Sequence, residues 1–120
     1  MKLIKIINAR NVLDRFADNE DIGGHLLYWM TKFIAKTQSD QEFYASEARK
    51  IFDKYAEMNA EEEMVVPAEK ISGFQKELHE LDETEAEDPG VRFDLSELAA
   101  GLKLSMRQMY PLLDFINEDK

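Results

Sequence analysis

The chain of 120 residues contains no cysteine, three prolines, five glycines, two histidines and a single tryptophan. Each scarcity removes a class of chemistry. Without cysteine there is no disulfide, no thiolate nucleophile and no cysteine-ligated metal, which suits a reducing interior or a virion. Five glycines are too few to build a phosphate-cradling loop, and no P-loop, G-x-S-x-G or dinucleotide pattern occurs. No window approaches the roughly 18 apolar residues of a membrane span. The N-terminal stretch from Met1 to Phe16 has neither a long apolar run nor a small-residue cleavage site, so no signal peptide is expected.

What is present is a charged but foldable chain. Hydrophobic residues make up 44% and charged residues 33%, enough apolar content for the core of one small domain spanning 1–120. The net charge of −10 is unevenly placed. Residues 1–56 carry nine Lys/Arg and eight Asp/Glu, a balance of +1, and residues 57–120 carry six and seventeen, a balance of −11. An acidic half opposes direct nucleic-acid binding, because phosphate contacts need clustered Lys and Arg. It suits a partner with a basic surface, or plain solubility.

Periodicity divides the chain. Leu3–Ile7 is rich in β-branched residues and reads as a short strand. Asn8 then caps a short helix, Ala9 to Phe16, with Val12, Leu13 and Phe16 on one face. Gly23 and Gly24 weaken the start of the next helix, at about 1 kcal/mol each in a helix interior. From Ile22 to Met58, apolar residues recur at spacings of three and four, which predicts one long helix of roughly 55 Å. A capping-box pattern at Ser39–Glu42 makes a kink or break near Thr37–Ser39 the alternative. Met64–Val66 is extended. Pro67 opens a helix carrying Ile71, Phe74, Leu78 and Leu81, which fades into the acidic run Asp82–Asp88 and stops at Pro89-Gly90.

Val91–Leu95 alternates as a second strand. Asp94 or Ser96 caps a turn of helix ending at Gly101, and Ser105–Gln108 forms a capping box before a terminal helix that bends at Pro111. The fold class is therefore mostly α with minor β: one long central helix packed with shorter helices, plus a small two- or three-stranded β element. Residues 1–58 hold the strand, short helix and long helix, and residues 59–120 form the acidic half. The expected strand Leu3–Ile7 pairs with Val91–Leu95 or Met64–Val66, since a lone strand leaves its backbone groups unpaired. The expected core draws on Leu13, Phe16, Leu26, Phe33, Ile51, Phe52, Phe74, Leu78, Leu112 and Phe115.

No residue set stands out as catalytic. His79 and Glu83 fall short of the zincin helix motif, which needs a second imidazole one turn on and a third ligand. A surface histidine explains the pair better. Glu83, Glu85 and Glu87 alternate, but a calcium loop of the EF-hand type needs a central Gly and a bidentate Glu that are not in register. A solvated helix end explains the run. Neither a metal nor a cofactor is expected, and no enzyme.

The aromatics Trp29, Phe33 and Tyr44 lie at helical spacing and suit a core, yet a helix of that length outruns two or three shorter neighbours. Part of its face then calls for another chain, through self-association or a protein partner. Candidate partner contacts are Trp29, Phe33 and Tyr44 on that helix, or Glu77, Glu80, Glu83, Glu85, Glu87 and Asp88 in the acidic half.

The order of the segments Leu26–Phe33, Ala48–Tyr55, Phe74–Leu81 and Leu112–Ile116, with an acidic link between the last two, resembles small proteins of unknown function encoded by tailed bacteriophages and prophages. That resemblance implies a viral origin, a non-enzymatic role, and a location in the cytoplasm of the infected bacterial host or in the virion. Two roles are compatible with it: a small structural or assembly factor working through the long helix, as a multimer or with a partner, or an acidic inhibitor that occupies the nucleic-acid-binding surface of a host protein. An inhibitor of that kind should display its carboxylates in a row, whereas an assembly factor should show an apolar interface.

Overall fold

The structure, a computed structural model, describes residues 1–117; the last three residues of the acidic half, 118–120, lie outside it. Its α-helices are α1 (Leu3–Asp14), α2 (Gly24–Lys36), α3 (Gln38–Tyr55), α4 (Ile71–Asp82), α5 (Leu95–Leu102) and α6 (Met106–Met109). Two short strands, β1 (Glu57–Met58) and β2 (Met64–Val65), pair antiparallel with Glu57 opposite Val65. Turns of 3-10 helix precede α4 (Ala68–Lys70) and follow α6 (Tyr110–Phe115). The expectation of a mostly α chain with a minor β element holds.

The first element is a correction. Residues Leu3–Ile7 are helical, so the expected N-terminal strand and its pairing with Val91–Leu95 or Met64–Val66 do not form. The reason lies in packing on two sides. Leu3 and Ile7 face Leu81, while Ile6, Ala9, Val12 and Leu13 enter the main core. A helix buried on two faces carries apolar residues nearly all round, so the usual one-sided periodicity disappears. Asn8 is exposed within this helix and caps nothing. The chain start is held instead by backbone bonds to the acidic segment, Leu3 N to the Thr84 carbonyl and Ala86 N to the Met1 carbonyl, both at 2.8 Å.

The second correction concerns the long helix. It is two helices, broken at Thr37, and the break replaces the single element expected from Ile22 to Met58. Ser39 and Glu42 do not supply the cap; α3 begins at Gln38 after Thr37. Arg10, buried in α1, donates from Nη1 to the Ile34 carbonyl at 2.6 Å and to Thr37 Oγ1 at 2.9 Å, and from Nη2 to Gln38 Oε1 at 2.6 Å. The Thr37 hydroxyl in turn donates to the Phe33 carbonyl at 2.7 Å. The Ile34 carbonyl is the acceptor that an uninterrupted helix would offer to the Gln38 N–H. Arg10 takes it, at the negative end of α2 where a cation is favoured. Gly23 is the N-cap of α2 and Gly24 its first residue, so neither weakens a helix interior.

The main core surrounds Phe33, which is wholly buried with its ring 5.0 Å from Phe115 and 5.9 Å from Phe93. Ile6, Leu13, Leu26, Leu98 and Leu112 close it. Phe93 is held by one parallel bridge to Ile116, all that forms of the expected Val91–Leu95 strand, because Leu95 already begins α5. Asp94 caps that helix by accepting from Ser96 N and Glu97 N. The helix runs past Gly101 to Leu102, and Lys103 then takes the left-handed conformation. The capping box at Ser105 and Gln108 forms as expected.

Of the expected core, Phe16, Ile51, Phe52, Phe74 and Leu78 are only partly buried. All but Phe16 belong to a second region, an antiparallel hairpin of α3 and α4. Tyr44 bonds to Asp82 near its base, and the Phe52 and Tyr55 rings meet Phe74 further out. Gly73 allows this closeness, since a Cβ there would lie 3.0 Å from the Tyr55 ring. No residue of α3 is fully buried. The hairpin makes the molecule long: its extents are 52 × 30 × 24 Å and its radius of gyration 17.2 Å, against about 13–14 Å for a compact chain of this length.

Candidate protein-interaction surfaces

The acidic residues singled out in the sequence are mostly occupied within the chain. Glu77 accepts from the Tyr55 hydroxyl and pairs with Lys54 at 2.9 Å. The Tyr55 hydrogen bond, followed by that of Lys54, holds the Glu77 carboxyl below its usual range. Glu83 pairs with Lys2 at 2.6 Å, which lowers it likewise, and Glu85 binds the N-terminal ammonium at 2.5 Å. Asp88 meets Arg92 at 2.5 Å and accepts from Gly90 N. The Arg92 hydrogen bond and then the Gly90 one lower its pKa to about 2. Glu80 and Glu87 are exposed. Thus Glu77, Glu83, Glu85 and Asp88 are locally neutralised, and the six carboxylates do not stand as a free row.

The aromatic candidates separate as well. Phe33 is a core residue and is removed from the candidate contacts, since reaching a partner would require opening the core. Trp29 is half-buried, packs against that core and meets the Tyr28 ring edge-on at 5.2 Å. Tyr44 is half-buried at the base of the hairpin, where its hydroxyl donates to Asp82 at 2.7 Å; burial, reinforced by that bond, pushes its pKa up to about 12. These three do not form one surface.

Two clefts are lined mainly by polar side chains. His25 Nδ1 lies 2.8 Å from Glu97 in a cleft of about 360 Å³ shared with Trp29 and Arg92. Its lining contains no Ser, Thr or Cys to serve as nucleophile. Asp40, Glu87 and Asp88 border a second cleft, where burial and then the Glu87 charge raise the Asp40 pKa. Among the described residues, no group of three or more His, Cys, Asp or Glu side chains is placed to hold a metal ion. No described helix is long and apolar enough to cross a membrane.

Two exposed apolar surfaces were not singled out in the sequence. One is the tip of the α3–α4 hairpin, where Met58, Met64 and Val65 are exposed. The other lies on the C-terminal segment: Met106, Tyr110 and Leu113 occur at spacings of four and three and are 86%, 75% and 50% exposed. Leu113 also lines an apolar groove of about 560 Å³ with Leu95, Ala99 and Ile116. The signal for the second was the i, i+4, i+7 spacing itself, hidden because Leu112 and Phe115 on the opposite side enter the core. The signal for the first was Asn59, an Asx-turn former between two apolar residues.

No protein-family model matches the chain, and no curated protein or solved structure is significantly similar to it.

Proposed function

We propose that this chain acts by binding another protein, as a small structural or assembly factor of a tailed bacteriophage, and that it is not an enzyme. The observation that carries the reading is the projecting α3–α4 hairpin, which has no fully buried residue on α3 and exposes apolar side chains at its tip. A second apolar surface on the C-terminal segment supports it. Scattered apolar side chains are ordinary on a protein surface, whereas clustered ones mark interaction sites. The phage setting, in the host cytoplasm or the virion, rests on the resemblance in sequence pattern alone.

The alternative, an acidic inhibitor mimicking nucleic acid, draws less support. Lys54, Lys2, the N-terminal ammonium and Arg92 already engage Glu77, Glu83, Glu85 and Asp88. Light scattering of the purified chain at low and high salt, with capture from a bacterial host lysate, tests the proposal. The expected result is either self-association or one stoichiometric partner. A strict monomer that retrieves nothing, or one that shifts labelled DNA, overturns it.

A further inference from the structure

The tip of the hairpin differs from the rest of the surface in three ways that bear on recognition. First, its two-stranded turn touches little else in the chain beyond an ion pair between Glu57 and Lys70. Met58 and Met64, opposite one another in the ladder, are 64% and 49% exposed. Second, the turn is preorganised by one residue. Asn59 Oδ1 accepts from Glu61 N and Glu63 N at 2.9 Å each, while its own N–H reaches the Glu63 carbonyl at 2.9 Å and its carbonyl receives Glu62 N at 3.1 Å. Glu62 is held in the left-handed region, with φ of 62°. Third, Glu61, Glu62 and Glu63 are three consecutive exposed acids without a cationic partner among the described residues, whereas Glu77, Glu83, Glu85 and Asp88 are paired.

We propose that the tip, Glu57–Val65, is a docking surface for a cationic amphipathic segment of a partner protein, with apolar side chains flanked by Lys or Arg. This rests on the protein-binding reading and names its surface and partner chemistry. The methionine pair offers an adaptable apolar contact, and a turn already fixed by Asn59 loses little freedom on binding. Charge selects the occupant. Two tips brought together would crowd their glutamates, so a second copy is disfavoured there, and the same charge repels nucleic acid and anionic lipid. A basic partner gains both the apolar contact and the long-range attraction.

The test uses the full chain and two synthetic helical peptides of about 18 residues, one of Lys and Leu and one of Glu and Leu with the same apolar face. Methyl and amide NMR should show the Lys/Leu peptide shifting Met58, Met64 and Val65, and the Glu/Leu peptide shifting nothing. The triple substitution Glu61→Gln, Glu62→Gln, Glu63→Gln, and separately Met58→Thr with Met64→Thr, should each weaken binding about ten-fold or more. Glu80→Gln with Glu87→Gln, which removes charge away from the tip, should leave it nearly unchanged. Unaltered melting of each variant shows that it is folded. Shifts centred on Met106, Tyr110 and Leu113, equal losses in the Glu80/Glu87 variant, or no response at all overturns the proposal. The broader protein-binding reading falls only on the mass and capture measurements above.

Discussion

Replacing Arg10 by Met tests the account of the helix break. Met keeps much of the apolar stem and removes the guanidinium with its three hydrogen bonds to Ile34, Thr37 and Gln38. Hydrogen bonds to a charged group are worth about 1.5–3 kcal/mol each. Gln38 is exposed and can turn to water, so two of the three acceptors dominate the loss. Against this stands the desolvation of a cation that is 5% exposed, has no carboxylate hydrogen-bonded to it among the described residues and leaves Nε buried without a partner there; removing it recovers part of that cost. The net destabilisation should be about 2–4 kcal/mol, or a fall in Tm of roughly 10 °C for a domain of this size.

Thermal melting followed by circular dichroism measures that fall, and small-angle scattering reads the shape against the radius of gyration of 17.2 Å. Arg10→Lys should recover only part, since one ammonium cannot span all three acceptors. A Thr37→Val cycle with Arg10→Met should show coupling of about 0.5–3 kcal/mol, because the two side chains share a hydrogen bond. Should Arg10→Met melt within a degree or two of the parent, the guanidinium is not what holds the α2–α3 junction.

Four further outcomes are expected. Phe33→Ala should cost about 4–5 kcal/mol and Phe52→Ala clearly less, about 1.5–3, because only the first ring is wholly buried; equal losses by chemical denaturation would contradict the two-region core. Gly24→Ala should stabilise by about 0.4–1 kcal/mol, since nothing lies within 4 Å of an added Cβ and Ala narrows the unfolded ensemble; a lower Tm would refute this. The Asp88 carboxyl is lowered from 3.8 to about 2 when folded, so its stabilisation is present above about pH 4 and lost as pH falls toward 2. Solvent screening of this 42% exposed side chain limits it to about 1 kcal/mol or less, and an Asp88→Asn variant should show a correspondingly flatter acid limb in stability against pH. Asp94→Ala should cost about 1 kcal/mol by removing the cap of α5, with loss measured by urea denaturation.

Several features arise from local chemistry and were legible in order along the chain. Ser105 and Gln108 cap α6, Asp94 caps α5, and Ile71, Phe74, Leu78 and Leu81 mark one face of α4. These signals depend on neighbours three or four residues away, which is the range a single sequence displays. The uneven charge was legible too, but not its use. Lys2 and Lys54 of the first half meet Glu83 and Glu77 of the second, and the N-terminus meets Glu85. The segregation that suggested an outside basic partner is thus spent partly within the fold.

Tertiary contact decided the rest. Leu3–Ile7 is a helix because it is buried between two clusters, a condition that erases the periodic pattern by which helices are read. The continuous pattern from Ile22 to Met58 is cut at Thr37 by a side chain 27 residues earlier, whose guanidinium takes the Ile34 carbonyl. Phe33 and Tyr44 share one helical pattern yet end in different places, since the break turns α2 into the core and sends α3 outward with α4. The candidate surfaces are likewise set by what remains uncovered after packing. Exposure at Met58, Met64, Met106 and Tyr110 is a property of where the other elements are not; the spacing of Met106, Tyr110 and Leu113 marks a shared face, and only packing decides whether that face is covered.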